Sequence, residues 1–207
     1  AGLATADINN NLGIASIGAN VELMGVKTTP NSASSSGSIW YGYAGVQWAC
    51  QNGANVVSMS YGGTSSQASM QTLIDAYPNV VFLAAAGNDG ENDDGDVSSP
   101  GSVDDVICVG GITRLGNLWV GSSEGDNNGD IWPPKLPRNN PDKKPEIVAP
   151  GHEVPVLVFN GESWWGWSSG TSASTAWVSG SLALFLEEYP EYQRNSDSDS
   201  SKVEEIK

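Results

Sequence analysis

Histidine, cysteine and basic residues are all scarce in this sequence of 207 residues. His152 is the sole histidine, and Cys50 and Cys108 are too few cysteines for a disulfide scaffold. We expect two buried thiols, although the sequence leaves a bond between them open. Lys and Arg number 9 against 24 Asp and Glu, which gives a formal net charge of −15. Nucleic acids and anionic membranes bind positive surfaces, so this charge argues against both partners.

Long apolar runs are also missing, and none approaches the roughly 20 residues of a membrane span. Hydrophobic residues nevertheless make up 39% of the chain, enough for one domain with a substantial core. The acidic composition suits a secreted or salt-adapted protein, and simple solubility explains it equally well.

Segments with strand and helix character alternate along the first half of the chain. We predict strands at residues 21–26, 55–59, 80–85 and 105–109, and helices at residues 39–51 and 67–76. The strands carry near-continuous apolar runs, which is typical of a parallel sheet covered on both faces. The sequence therefore predicts a three-layer α/β domain with a mostly parallel sheet and helices on both faces. In such sheets, ligands bind at the carboxyl ends of the strands.

Residues 169–180 read SGTSASTAWVSG, and small residues crowd the start of a predicted buried helix. A hydroxyl at this turn, such as that of Ser172, lies where unpaired backbone N–H groups favour negative charge. An acyl-transfer nucleophile needs such surroundings. The alternative is that the Ser and Thr residues only cap a core helix. The Gly-x-Ser-x-Gly elbow of lipases is not matched, because Ser174 stands at its last glycine.

This stretch resembles the nucleophile segment of the subtilases, the subtilisin-like serine peptidases. Four further segments match the same family in the same order: residues 57–63 (VSMSYGG), 84–88 (AAAGN), 106–110 (VICVG) and 144–151 (KPEIVAPG). Five ordered matches cover most of the chain. The resemblance implies a serine endopeptidase that hydrolyses polypeptides, and it implies a secreted or otherwise extracytoplasmic location.

The resemblance assigns catalytic roles to two residues. Ser172 matches the nucleophile, and Asn88 matches the residue whose amide, with the Ser172 N–H, stabilises the oxyanion. The serine needs a base, and the family's catalytic His and Asp lie upstream of Ala1 in this alignment. We therefore expect residues 1–207 to form a partial domain, truncated at both ends and inactive alone, whose Asp and His belong to an upstream segment. His152 does not match the catalytic His and is interpreted as a loop residue.

The resemblance also implies the substrate-binding residues. By this resemblance, an extended peptide pairs with the backbone of Ser60, Tyr61 and Gly62 and faces Ala86 and Gly87. Gly37 and Ser38 match the strand on the peptide's other side. Walls of Gly and Ala predict a pocket for a large apolar side chain.

A structural calcium ion is a further expectation from the resemblance. Asn10, Leu12 and Ile14 match the family's calcium loop, although the alternative of a plain Asn-rich turn stays open because such sites need six or more oxygens.

Two functions other than that of a serine endopeptidase are less well supported by the residues. One is a catalytically inactive binding module with the same fold, against which the intact Ser172 and Asn88 argue. The other is an α/β-hydrolase esterase, which lacks both the elbow glycine and a histidine downstream of Ser172. The three tryptophans at positions 164, 165 and 167 are expected to pack in a core or hairpin rather than face substrate.

Overall fold

A parallel sheet of four strands lies at the centre of the structure. This computed structural model describes residues 1–18, 20–30, 39, 41–63, 67–90, 97–125, 144–158, 165–193 and 201–206. The strands lie side by side in chain order, and every neighbouring pair is parallel. They are β1 (Val56–Met59), β2 (Val81–Ala85), β3 (Val106–Ile112) and β4 (Ile147–Pro150). All five residues of β2 are buried, as expected for an inner strand covered on both faces.

Helices and one antiparallel hairpin complete the described parts of the chain. The helices are α1 (Gly2–Thr5), α2 (Gly42–Gln51), α3 (Gln67–Asp75), α4 (Thr171–Glu188), a 3-10 turn (Pro190–Tyr192) and α5 (Ser201–Ile206). The hairpin pairs β5 (Val154–Leu157) with β6 (Trp165–Ser168). Within the described ranges, no helix is both long and apolar enough to cross a bilayer.

Alternate residues of the strands face two different hydrophobic clusters. Phe82 of β2 packs with residues of α2 and α3 on one face. Its neighbours Val81 and Leu83 pack with Leu182 and Leu186 of α4 on the other. Helices therefore cover both faces of the sheet, which confirms the predicted three-layer α/β fold. The two cysteines lie in α2 and β3 as buried thiols, as expected.

Two sequence-based predictions of local structure were wrong. Residues 21–26 form no strand, and Val26 instead packs beside Gly45 of α2. A strand needs a paired neighbour, and no described segment pairs with these residues. Helix α2 begins at Gly42 rather than at Ile39, and its buried side is formed by Gly42, Gly45, Val46, Ala49 and Cys50. Ile39 and Tyr43 of the predicted apolar stripe are exposed.

Candidate active site

Three successive residues at the start of α4 cross the carboxyl edge of the sheet. The Gly170 N–H donates to the Gly151 carbonyl, directly after β4, at 2.7 Å. Thr171 hydrogen-bonds with Gly87, which follows β2, and Ser172 does so with Ser60, which follows β1. The parallel topology thus brings segments that are about 110 residues apart in sequence to one point. This edge is where ligands bind in open α/β sheets.

Thr171 fastens the loop after β2 to the first turn of α4. Its backbone N–H donates to Asn88 Oδ1 at 2.9 Å. Its hydroxyl accepts from the Gly87 N–H at 3.1 Å and lies within donating distance of the Gly87 carbonyl and Asn88 Oδ1. Thr171 is fully buried whereas Asn88 is exposed, so these bonds are partly shielded from water. Together they fix the position of Asn88 relative to the residue that follows Thr171, which is Ser172.

Ser172 lies partly exposed in the first turn of α4. Its hydroxyl donates to the Ser60 carbonyl at 3.0 Å, and the Ser60 hydroxyl donates back to the Ser172 carbonyl at 3.1 Å. No acceptor for the Ser172 backbone N–H occurs in the described part of the chain. Unpaired N–H groups in the first turn of a helix create a positive potential. Negative charge on an oxygen beside Ser172 would therefore be stabilised.

Gly87 holds a backbone conformation that few other residues adopt, with φ of +119°. A methyl group at this position would lie 2.7 Å from both Ser98 Oγ and Ser123 Oγ. Ser123 also donates its N–H to the Gly87 carbonyl at 3.0 Å, and its hydroxyl accepts the Asp89 N–H at 3.1 Å. The loop that carries Asn88 is therefore packed between Ser98 and Ser123, and position 87 between them requires glycine.

The other predicted substrate-binding residues divide into three groups. Gly62 is exposed and lies next to Ser98, which also lies next to Gly87, so one serine side chain separates the two glycines. Ala86 is fully buried, whereas the Tyr61 ring packs beside Gly42 of α2. Burial raises the pKa of the Tyr61 hydroxyl, which has no hydrogen-bond partner among the residues that the structure describes. The predictions for Gly37 and Ser38 fall outside the described residues.

His152 makes no contact with Ser172 in the described structure. Its ring packs against Trp119 with centroids 6.0 Å apart, and its backbone N–H donates to the Ile112 carbonyl. His152 follows β4, whereas Ser172 is bonded to the residue after β1. The Gly151 carbonyl accepts the Gly170 N–H, so the backbone at His152 lies close to the start of α4, but the imidazole ring packs against Trp119. This arrangement agrees with the interpretation of His152 as a loop residue.

The loop that resembles a calcium site forms an ordered turn. Asn10 Oδ1 accepts the Leu12 N–H at 2.9 Å, and Asn9, Asn11 and Gly13 have positive φ. An amide oxygen and backbone carbonyls are ligands that calcium accepts, but six to eight oxygens are needed. Among the described residues, no cluster of three or more His, Cys, Asp or Glu could hold a metal ion.

The tryptophans before Ser172 lie in a hairpin, but not in a core. Trp165 and Trp167 occupy β6, are 48% and 67% exposed, and contact each other edge to face at 6.0 Å. The expectation of core or hairpin packing is confirmed for these two residues, and it is the hairpin that they form. Trp164 is outside the described residues.

Sequence reasoning missed three residues that shape this site: Thr171, Ser98 and Ser123. Thr171 belongs to the matched Gly-Thr-Ser segment, so a role beside Asn88 was open to prediction. Ser98 and Ser123 become neighbours of Gly87 only through the fold, and no local pattern marks them.

The geometry at the start of α4 points to a class of protein. A partly exposed serine hydroxyl at a helix N-terminus, with an asparagine amide bonded to the preceding residue at a sheet edge, is an arrangement that suits acyl-transfer chemistry. The comparisons make the class specific. The family model described as "Subtilase family" matches residues 1–204. This chain belongs to the subtilase family, that of the subtilisin-like serine peptidases.

Individual relatives agree with this membership. Subtilisin DY of Bacillus licheniformis is 31% identical over 188 residues, covering 89% of this chain and 61% of that protein. Alkaline elastase YaB of Bacillus sp. (strain YaB) is 31% identical over 191 residues, covering 90% and 44%. The chain thus spans only about half of the length of the curated relatives it matches.

Two solved structures share the fold. The prenylagaramide maturation protease PagA is similar with a TM-score of 0.56 and 26% identity, covering 76% of this chain and 52% of that one. The self-cleaved protease domain of PatA has a TM-score of 0.58 at 23% identity, covering 79% and 56%, and this likeness concerns the fold alone.

Proposed function

We propose that this chain is the nucleophile-bearing part of a subtilisin-like serine endopeptidase. The observation that carries the proposal is the junction at the start of α4. There Ser172 lies in the first helical turn while Asn88 is bonded to the preceding residue at 2.9 Å. Family membership supports serine peptidase chemistry, and the junction supports these two residues as its agents.

In the proposed mechanism, Ser172 Oγ attacks the carbonyl carbon of the scissile peptide bond. The carbonyl oxygen becomes an oxyanion, and the Ser172 N–H and the Asn88 amide donate hydrogen bonds to it. Asn88 Oδ1 already accepts the Thr171 N–H, which leaves the NH₂ group of the amide to act as the donor. Such a preorganised donor typically contributes about 2.7–4 kcal/mol to transition-state stabilisation.

The substrate is proposed to be an extended polypeptide. Its backbone would pair with the residues after β1, Ser60 and Gly62, and would face Gly87 across the cleft. Strand addition of this kind gains main-chain hydrogen bonds whatever the side chains, and pockets then select among side chains. The Ser60 carbonyl is occupied by the Ser172 hydroxyl in this structure. A pairing peptide that uses the same carbonyl would therefore release that hydroxyl.

The general base and its orienting carboxylate are proposed to come from a segment outside residues 1–207. Serine needs a base within hydrogen-bond reach, and here its proton is donated to a backbone carbonyl, which cannot remove it. The described sheet offers a place for more chain, because β1 lies at its edge and residues 21–26 run nearby without a strand partner. Without that segment we expect no peptide cleavage at an enzyme-like rate.

Complementation tests the proposal. The chain is assayed for peptide cleavage alone, and again with the upstream part of its gene product supplied on the same chain or separately. We expect cleavage only in the complemented protein, and its loss in Ser172→Ala. His152→Ala, the matched control, should keep the activity. A complemented, folded protein that binds peptides without cleaving them would instead support the inactive binding module.

We also propose a structural calcium ion at the loop of Asn10, Leu12 and Ile14, with further oxygens supplied from elsewhere. It would take no part in the chemistry. In the complemented protein, calcium should raise the melting temperature relative to EDTA, and Asn10→Ala should reduce that difference. An equal melting temperature under both conditions would contradict this proposal.

An extracytoplasmic location is proposed on the acidic composition and the likeness to subtilisins. Fractionation of the source cells, with detection of the protein in the medium or in the cytoplasm, distinguishes the alternatives.

A further inference from the structure

The backbone on both sides of Asn88 is bonded to a single residue, Ser123. The Gly87 carbonyl accepts the Ser123 N–H at 3.0 Å, and the Asp89 N–H donates to the Ser123 hydroxyl at 3.1 Å. That carbonyl belongs to the peptide group before Asn88, and that N–H belongs to the peptide group after it. Because peptide groups are planar, rotation about φ or ψ of Asn88 would turn one of these bonded groups. Ser123 therefore restrains both backbone torsions of Asn88.

Ser123 is itself held by the interior of the protein. Its side chain has no solvent exposure. The segment that leads to it is bonded to the sheet, since the Trp119 N–H donates to the carbonyl of Gly111 in β3 at 2.9 Å. Ser123 thus connects the loop of Asn88 to the sheet, whereas Thr171 connects the same loop to α4.

Asn88 depends on such restraints because, unlike Ser123 and Thr171, it is exposed. The bond from the Thr171 N–H to Asn88 Oδ1 fixes one atom of the amide. The amide could still pivot about that atom if the backbone of Asn88 moved. An oxyanion donor has to lie about 2.7–3.1 Å from the oxygen that it stabilises, so a small pivot would weaken the donated bond. The backbone bonds to Ser123 oppose that movement.

We propose that Ser123 is a positioning residue for the reaction, which holds Asn88 so that its NH₂ group meets the oxyanion. The inference rests on the proposed function, which makes Asn88 the oxyanion donor. Ser123 is buried and acts only through Asn88, without touching the substrate. Loss of its hydroxyl should therefore slow turnover and leave substrate binding unaltered.

The test uses the full-length product of the gene and a peptide substrate. Ser123→Ala removes the hydroxyl and leaves the N–H bond to Gly87 in place. It should lower kcat about 10-fold with KM unchanged, because a misplaced donor costs less than the roughly 10²–10³-fold of an absent one. Ser123→Cys keeps a weak acceptor, so its kcat should lie between those of the wild type and Ser123→Ala. Should Ser123→Ala not fold in urea denaturation, Ser123→Cys carries the same comparison.

The same substitution in an Asn88→Ala background separates positioning from a general loss of structure. With the amide absent, Ser123→Ala should lower kcat no further, since residues that act through one another are not additive. Ser179→Ala is the matched control, because it also removes a buried serine hydroxyl, which bonds to the Thr175 carbonyl within α4 at 2.7 Å. It should leave kcat unchanged in both backgrounds.

An unchanged kcat in Ser123→Ala, or the same fold-loss in both backgrounds, would overturn the inference. Cleavage that depends on Ser172 and Asn88 would still uphold the proposed function in that case. Absence of any cleavage that depends on Ser172 would overturn both.

Discussion

Asn88 has two separable tasks in this structure, and two substitutions distinguish them. Its Oδ1 accepts the Thr171 N–H at 2.9 Å, and its NH₂ group is the proposed oxyanion donor. Asn88→Asp keeps an oxygen acceptor and removes the NH₂ group, whereas Asn88→Ala removes both. The two variants should therefore differ in stability but agree in their loss of activity.

Asn88→Ala should lower the free energy of unfolding by about 1–3 kcal/mol, because it leaves the N–H of a fully buried residue without its acceptor. Asn88→Asp should hold that free energy or raise it by about 0.3–1 kcal/mol, since a carboxylate near a helix N-terminus is favourable. In the complemented protein, both should lower kcat/KM by about 10²–10³-fold. Urea denaturation and peptide cleavage provide the measurements.

Asn52→Ala is a suitable control, because the Asn52 amide bonds to the Trp48 carbonyl at the C-terminal end of α2, outside the site. It should leave kcat/KM unchanged. Asn88→Asp with activity within 10-fold of the wild type would refute the oxyanion role. Equal destabilisation by Asn88→Asp and Asn88→Ala would refute the role of the bond to Thr171.

Three further predictions concern stability. Gly87→Ala should lower the unfolding free energy more than Gly53→Ala does in denaturation: both glycines have positive φ, but a methyl group has open space only at Gly53. Burial raises the pKa of Tyr61 above its ordinary 10.0, so the unfolded state ionises first and stability should fall as pH rises past 10; Tyr61→Phe should lessen that fall without loss of stability at neutral pH. Lys144, which is 9% exposed, pairs with Glu146, so Lys144→Met should destabilise by about 3 kcal/mol, and adding Glu146→Gln should recover part of the loss in thermal unfolding.

The sequence predicted the parallel sheet well, because buried parallel strands leave near-continuous apolar runs such as that of β2. It did not predict β4, and it gave no bounds for the hairpin β5–β6, although a hairpin was one expectation for the tryptophans before Ser172. Pro150 ends β4 and Pro155 lies within β5, and β4 pairs with β3, which lies well before it in the sequence. For residues 21–26 a strand was predicted but none forms, because a strand pattern in the sequence does not supply a neighbouring strand to pair with.

The candidate site was predictable where it follows strand ends and matches family segments, as Asn88 and Ser172 do. The alternation of strands and helices predicts a parallel sheet, and the carboxyl ends of parallel strands lie at one edge, which is where the fold brings these residues. Ser98 was not predictable in this way. Ser98 lies between Gly62 and Gly87 because its N–H bonds to the Ala86 carbonyl and Ser99 bonds to Gly63. A serine in a loop carries no local signal of such tertiary bonds.

The measurement that tests the central claim most directly is the site and rate of labelling by a fluorophosphonate, mapped by mass spectrometry. In the complemented protein, we predict rapid modification of about one residue per molecule, at Ser172. In residues 1–207 alone, we predict slow labelling, because no base lies within hydrogen-bond reach of that hydroxyl among the described residues. Label at another serine of the complemented protein would contradict the assignment of the nucleophile. Rapid labelling of Ser172 in the chain alone, abolished by His152→Ala, would show that the base lies within it.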